Sequence, residues 1–252
     1  MLNASLVGLL LLLLFSVMYL IRISRVMNGK LSKLTSPERD IRRIAKNHRE
    51  EAWQHYRQGE FYSQLIHFLK LSAPIPSTRS WAASPDVLLT LFDIAQRTAP
   101  RVVLDLGSGM STLVLAKSAP QAKIISVDNS EEYAEKTRKL LAAHNITNVE
   151  IRVAPLTSHH SGVEWYDTSV LSDISEIDLL FIDGPPGSKN DQARMPAVVE
   201  CAKKLSAKAV VVIDDAARVG ERAMAEKFAE ALPNHTLEFL PHEKGTALIT
   251  PR

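Results

Sequence analysis

Residues 102–118 read VVLDLGSGMSTLVLAKS. An apolar run ending in Gly-Ser-Gly suits a strand buried on both faces. It is followed by a turn that brings backbone N–H groups to a ligand at the start of a helix. The same alternation continues outward. Lys123 to Val127 is a second strand ending at Asp128, Ser130 to His144 is a helix with Ser130 as its cap, and Val149 to Val153 is a third strand. After a loop of about twenty residues, Ile177 to Ile182 forms a fourth strand ending at Asp183. A helix over Gln192 to Leu205 leads to the apolar strand Ala209 to Ile213, which ends at Asp214-Asp215. Val219 to Ala231 is helical, and Thr236 to Leu240 and Thr246 to Thr250 close the chain as strands. Upstream, Pro85 to Gln96 carries Val87, Leu88, Leu91, Phe92 and Ala95 on one helical face. Seven strands, mostly without polar alternation, predict a mostly parallel, doubly wound α/β sheet covered by helices on both faces. Its acids gather at the carboxyl edge, where open α/β sheets bind ligands.

Composition permits this reading and narrows it. The chain has 252 residues, 46% hydrophobic and 23% charged, which excludes low-complexity and collagen-like classes. Its single cysteine, Cys201, forbids an intrachain disulfide or a Cys-based zinc cluster, and its mid-helix position reads as packing. Residues 1–74 hold eleven Lys/Arg against five Asp/Glu, whereas residues 75–252 hold nineteen against twenty-three. A positive excess confined to the head excludes a nucleic-acid-binding body.

That head begins with a membrane segment. No charged side chain occurs from Met1 to Ile21, and Leu9 to Leu14 is an unbroken leucine run. As a helix this length spans about 31 Å, the thickness of a bilayer's hydrocarbon core. A cleaved signal peptide is the rival reading, but no basic residue precedes the run and no A-x-A-like site follows it. Arg22, Arg25, Lys30, Lys33, Arg39, Arg42, Arg43, Lys46 and Arg49 all lie on the C-terminal side. The positive-inside rule then leaves the body in the cytoplasm. Residues 1–23 are therefore read as an anchor, 24–76 as a basic helical stalk and 77–252 as the folded domain. Within the stalk, Ser36-Pro37-Glu38 opens a helix to about Gly59, and residues 61–72 form a further apolar helix covering an edge of the body. The stalk's basic residues either lie along anionic headgroups or are simply solvated.

The Gly-x-Gly turn alone does not separate dinucleotide binding from other nucleoside ligands. Thr112 stands where the dinucleotide fingerprint has its third glycine. Asp105 lies two residues before Gly107, where a carboxylate would repel a pyrophosphate and attract an ammonium. Asp128, twenty-one residues after Gly107, tips the second strand and suits two ribose hydroxyls. An amino acid at one end and a ribose at the other describes S-adenosylmethionine.

Over VVLDLGSGMST (102–112), SVDNS (126–130), FIDGPPG (181–187) and VVVIDDA (210–216), the sequence resembles the class I S-adenosylmethionine-dependent methyltransferases, which have a Rossmann-like sheet. The D-G-P-P-G turn and Asp-Asp pair resemble O-methyltransferases and their bacterial relatives. The resemblance implies that Asp105, Gly107, Ser108, Gly109 and Ser111 hold the methionine moiety. It also implies Asp128 at the ribose, Asn129 beside it, Ala154-Pro155 at the adenine edge and Asp183 within the same cleft. The implied acceptor is a small molecule, a glycan or a lipid-linked group.

Asp183, Asp214 and Asp215 should converge at adjacent strand ends, where they repel one another unless a cation or proton intervenes. This resembles catechol-type enzymes that hold Mg²⁺ or another divalent cation with two acids and an amide, although Asp215 replaces the amide here. Pro186 stands at the expected lysine, leaving Lys189 as the nearest general base alongside Asp183. Without a metal, Asp183 shapes its turn and Asp214 caps a helix. In the loop after the third strand, His159-His160 reads as a solvated pair and Trp165-Tyr166 as packing for the loop. Trp81 and Ser84 are candidates for a wall of the cofactor mouth. Two other classes stay open: an NAD-dependent oxidoreductase and a non-catalytic membrane scaffold retaining the fold.

Overall fold

The structure is a computed structural model. It describes residues 4–78, 82–187 and 190–252, and within these the side chains outside 4–6 and 33–39. The chain divides into two compact units, Met1–Tyr56 and Arg57–Arg252.

The described residues of the first unit lie within helix α1 (Ala4–Leu69). Its stretch Val7–Ser32 is long and apolar enough to cross a membrane and buries nothing within the molecule. Every residue of Leu9–Leu14 is more than half exposed. The sequence reading starts new helices at Ser36-Pro37 and after Gly59, but α1 runs through both. Proline inside a helix costs about 3 kcal/mol, and the Leu, Lys, Arg, Glu and Ala runs on either side favour continuation.

The second unit opens with the last turns of α1, whose Leu65 and Leu69 are core residues. The body therefore begins upstream of residue 77, and the helix expected at its edge is integral to it. Its sheet comprises β1 (Val102–Leu106), β2 (Lys123–Asp128), β3 (Val149–Val153), β6 (Ile177–Ile182), β7 (Leu205–Asp214), β8 (His235–Leu240) and β9 (Thr246–Pro251). The strand order is β3-β2-β1-β6-β7-β9-β8. Only β9 breaks the parallel run, pairing antiparallel with both β7 and β8. The seven-stranded, mostly parallel, Rossmann-like expectation is met.

Alternation along the strands builds two cores. Val103, Ile124, Phe181 and Val212 face one side, with α2 (Pro85–Thr98) and α3 (Met110–Ser118) packed on them. Leu104, Ile125, Leu180 and Val211 face the other, against α5 (Pro196–Cys201) and α6 (Val219–Ala231). Full burial of each such side chain contributes about 1.5–3 kcal/mol. Helix α4 (Glu131–Ala143) is capped by Ser130 as read, its side chain accepting from the Tyr133 N–H at 3.4 Å.

Two segments differ from the sequence reading. The loop after β3 contains an antiparallel hairpin, β4 (Leu156–Ser158) with β5 (Glu164–Tyr166), and a short 3-10 turn (Thr168–Leu171). Helix α5 is shorter than expected because Pro196 fits only its first turn and β7 already starts at Leu205. Cys201 is free and buried, as its position implied, and burial pushes its thiol up to about 12.

The chain reverses its direction of strand addition between β1 and β6, which are hydrogen-bonded neighbours. The crevice outside their carboxyl ends is the topological switch point.

Candidate functional site

At the end of β1 the backbone turns through Gly107 (φ 115°), whose N–H donates to the Val127 carbonyl at 2.9 Å. A Cβ on Gly107 would lie 3.2 Å from the Gly184 nitrogen, so this turn and the one after β6 touch backbone to backbone. Gly109 (φ 155°) differs. A Cβ there would meet nothing within 4 Å, leaving open space over the turn. The Gly109 N–H donates to Thr112 Oγ1 at 3.0 Å, which explains a threonine where a dinucleotide site has glycine.

Asp105 lies beneath this turn and is fully buried. Its carboxylate accepts from Thr112 Oγ1 at 2.6 Å, Ser126 Oγ at 2.9 Å and Ser111 Oγ at 3.4 Å. Ser126 faces it across the β1–β2 register. In this arrangement Asp105 accepts from hydroxyls that hold the turn and the first turn of α3. Burial raises its pKa to about 7; the three hydroxyls oppose the shift and the nearby Asp128 charge adds to it.

Asp128, at the tip of β2, faces the turn from the other side. Its Oδ2 accepts from Ser108 Oγ at 2.5 Å and from the Ser108 N–H at 3.3 Å, while Oδ1 accepts from the Ser130 N–H at 2.8 Å. Asn129 follows directly, half-buried, and the buried Ala154 donates its N–H to the Asp128 carbonyl at 2.8 Å. Gly107, Ser108, Gly109, Ser111, Asp128, Asn129 and Ala154 are thus gathered at one end of β1–β3. Ser84 is not free to line a mouth, since its hydroxyl donates to Asp86 at 2.6 Å. Trp81 and Lys189 lie outside the described residues.

The hairpin supplies a residue whose place the sequence did not reveal. Trp165 is fully buried, as packing required, and Tyr166 beside it is buried too. The Tyr166 hydroxyl, however, abuts Gly184 so closely that a Cβ there would collide with it. Burial and the charges of Asp128, Asp105 and Asp183 push the phenol's pKa well above its ordinary value, against the pull of Arg194, so it stays neutral.

The three acids at the ends of β6 and β7 do converge, around a residue the sequence reading missed. Arg194 is nearly buried. Its Nη2 lies 3.2 Å from Asp183 Oδ1 and its Nη1 3.2 Å from Asp215 Oδ2 and 3.7 Å from Glu221 Oε1. It also donates through Nε to the Pro185 carbonyl at 3.1 Å. Arg218 Nη1 reaches the same Asp215 oxygen at 2.9 Å. Asp214 accepts from the Asp215 N–H at 2.8 Å, and its Oδ2 has no hydrogen-bond partner among the described residues. Burial and the adjacent Asp215 charge raise Asp214 to about 6. Burial and Asp214 likewise push Asp183 well above the carboxylate range, against the pull of Arg194.

Residues 104–216 match the family described as a methyltransferase domain. These residues are a methyltransferase domain, on the seven-stranded Rossmann-like fold of the class I enzymes. Its fold is that of the S-adenosylhomocysteine-bound methyltransferase PaMTH1 of Podospora anserina, at 18% identity and a TM-score of 0.54 over 75% of this chain and 87% of that one. The Bacillus cereus O-methyltransferase in complex with S-adenosylhomocysteine matches at 17% identity and a TM-score of 0.53, over 77% and 91% of the two chains. The O-methyltransferase TomG of Streptomyces achromogenes, involved in tomaymycin synthesis and solved with S-adenosylmethionine, matches at 18% and 0.53, over 77% and 98%. No curated protein matches the chain.

In this methyltransferase the donor set at Asp183, Asp214 and Asp215 does not fit a divalent metal. Two of the three carboxylates already face the Arg194 guanidinium, whose fixed charge repels a second cation. The Arg194 guanidinium supplies the positive charge that lowers the repulsion among these acids. Among the described residues, the His, Asp and Glu side chains whose ligand atoms lie within 4.8 Å of one another are His159, His160 and Glu200 instead.

The buried acid under the glycine turn gives this domain a pH signature. Asp105 binds its proton more tightly folded (about 7) than at its ordinary 3.8, so folded stability is highest below that lower value. It falls as pH rises toward 7 and is level above. The melting temperature of Asp105→Asn should show a shallower decline from pH 4 to 7 than the wild type, Asp183 and Asp214 accounting for the remaining slope. An equal slope in both proteins would refute the assignment.

Proposed function

We propose that this methyltransferase transfers the methyl group to an oxygen nucleophile on a small-molecule, glycan or lipid-linked acceptor, and does so at the cytoplasmic face of a membrane. The observation that carries the cofactor's placement is the open space over Gly109 beside an Asp128 carboxylate that faces the same turn. S-adenosylmethionine, when bound, supplies an electrophilic methyl on a sulfonium that departs as a neutral thioether. Asp128 exchanges its bond from the Ser108 hydroxyl for the ribose hydroxyls. The backbone of Gly107, Ser108 and Gly109, with Ser111, lines the methionine end, and Ala154 bounds the adenine. Asp105 acts from below as the residue that sets the turn. Tyr166, neutral and buried, helps exclude water from the reacting centre.

The chain's remaining task is to align the acceptor and accept its proton. Asp183 lies on the β6 turn in contact with the glycine turn, and its raised pKa makes it a stronger base once ionised. Arg194 keeps it oriented. Lys189, six residues on, is the alternative base. The O-methyltransferase descriptions of the Bacillus cereus and Streptomyces achromogenes proteins support oxygen as the accepting atom.

Support for the membrane comes from Val7–Ser32, apolar and exposed along its length, followed by basic residues through Arg49. Residues 1–23 anchor the chain and the basic stalk leads to the catalytic body.

Three measurements test this reading. Calorimetric titration of the full chain in detergent should show S-adenosylhomocysteine binding that Asp128→Asn weakens about 10- to 150-fold, the loss of hydrogen bonds to a charged group worth about 1.5–3 kcal/mol. Unchanged affinity would remove Asp128 from the site, and binding of NADH instead would overturn the cofactor. The ascending limb of kcat/KM against pH should disappear in Asp183→Asn; loss of that limb in Lys189→Gln alone would transfer the role of base to Lys189. The chain should resist alkaline extraction from membranes with its first residues intact, whereas a mature chain beginning beyond residue 21 would mean a cleaved signal.

A further inference from the structure

The turn of the β4–β5 hairpin brings two adjacent imidazoles and a carboxylate from another element to one point. The His159 N–H donates to the Val163 carbonyl at 2.8 Å and the Gly162 N–H to the His159 carbonyl at 2.9 Å, closing a tight turn at Gly162 (φ 87°). Adjacent side chains on an extended strand point apart, but on this turn the His159 and His160 rings lie 4.0 Å apart between centroids. His159 is buried and packs edge-on against Trp165 at 5.9 Å, so its ring is fixed. Its Nδ1 accepts the Ser161 N–H at 3.2 Å and lies 2.8 Å from Ser161 Oγ. That orients Nε2 toward Glu200 Oε1, 3.1 Å away on α5. His160 is exposed, with its ligand atom within 4.8 Å of those of His159 and Glu200.

We propose that His159, His160 and Glu200 form a site for a transition-metal dication of the Zn²⁺ class, fastening the hairpin to α5. Two imidazole nitrogens and one carboxylate oxygen, with a fourth position open to water beside an exposed His160, match the three-ligand His₂Glu type. Metal–ligand bonds of about 2.1 Å place tetrahedral ligands roughly 3.4 Å apart. His159 and Glu200 already meet this spacing, and rotation of the exposed His160 closes the remainder. On binding, the single ring proton of His159 passes by way of solvent from Nε2 to Nδ1, which then donates to Ser161 Oγ in place of accepting the Ser161 N–H; Ser161 Oγ is thus the outer partner that metal-bound histidines require. Nitrogen donors disfavour Mg²⁺ and Ca²⁺, which take oxygen. The ion is thus distinct from any at the strand-end acids. It also differs in consequence, because the strand it secures ends in Tyr166 at the cofactor crevice.

Equilibrium dialysis of the tag-free full chain in detergent against buffered Zn²⁺ should give one ion per chain at micromolar affinity or tighter. Co²⁺ in its place should give the visible absorption of a four-coordinate site. His160→Ala and Glu200→Gln should each weaken Zn²⁺ binding at least tenfold and abolish the Zn²⁺-dependent rise in melting temperature. Neither residue contributes to the main core, so the metal-free melting of both variants should match the wild type. S-adenosylhomocysteine affinity, measured alongside, reports on the cofactor reading separately. A wild-type chain that binds no Zn²⁺, variants that bind it equally well, or displacement of Zn²⁺ by millimolar Mg²⁺ would each overturn the proposal.

Discussion

The body depends on one close approach, between the turns that follow β1 and β6. Gly107 and Gly184 pass within backbone contact, and the Asp183 N–H donates to the Leu106 carbonyl at 2.9 Å. Any side chain at Gly184 would strike the Leu106 carbonyl or the Tyr166 hydroxyl. This contact closes the floor of the crevice at the switch point and leaves its upper side, over Gly109, open. Strand order, glycine placement and hairpin packing all converge on it.

Around that floor the protein separates two kinds of acid. Asp105 is buried among hydroxyls and supports the turn, whereas Asp128 presents its carboxylate to Ser108 on the other side of the same turn. Asp183, Asp214 and Asp215 form a third group, organised by Arg194. Removing one partner from such a buried ion network costs about 3–5 kcal/mol, because the abandoned charge has no water to turn to. The same burial that makes the network costly to break raises Asp183 and Asp214 and so readies a carboxyl for proton traffic near neutral pH.

Much of the fold was legible. The strands at Val102–Leu106, Val149–Val153 and Ile177–Ile182, and the helix at Val219–Ala231, lie where apolar runs and helical period put them. Such signals are local: buried strands are mostly apolar, a half-buried one such as Val149–Val153 alternates, and amphipathic helices repeat every 3.6 residues. The β4–β5 hairpin escaped notice because three-residue strands are too short to display a period. The stalk was divided at Ser36-Pro37 because a proline reads as a start, although propensity on either side carries the helix through. That Asp128 adjoins the glycine turn was readable from spacing. The hydroxyls of Ser111, Thr112 and Ser126 that donate to Asp105 were not singled out, because their convergence on one carboxylate needs a turn and a neighbouring strand.

By itself, the amino-acid sequence determined the class of the body, the position of its glycine turn and the apolar character of its first residues, because each follows from residue type at short range. Only the tertiary structure decided that Asp105 is buried among hydroxyls, that Arg194 stands among the strand-end carboxylates, and that His159, His160 and Glu200 meet. Those outcomes depend on groups separated by many residues in the chain. Their charges and hydrogen bonds are settled by burial and distance, which no local pattern encodes.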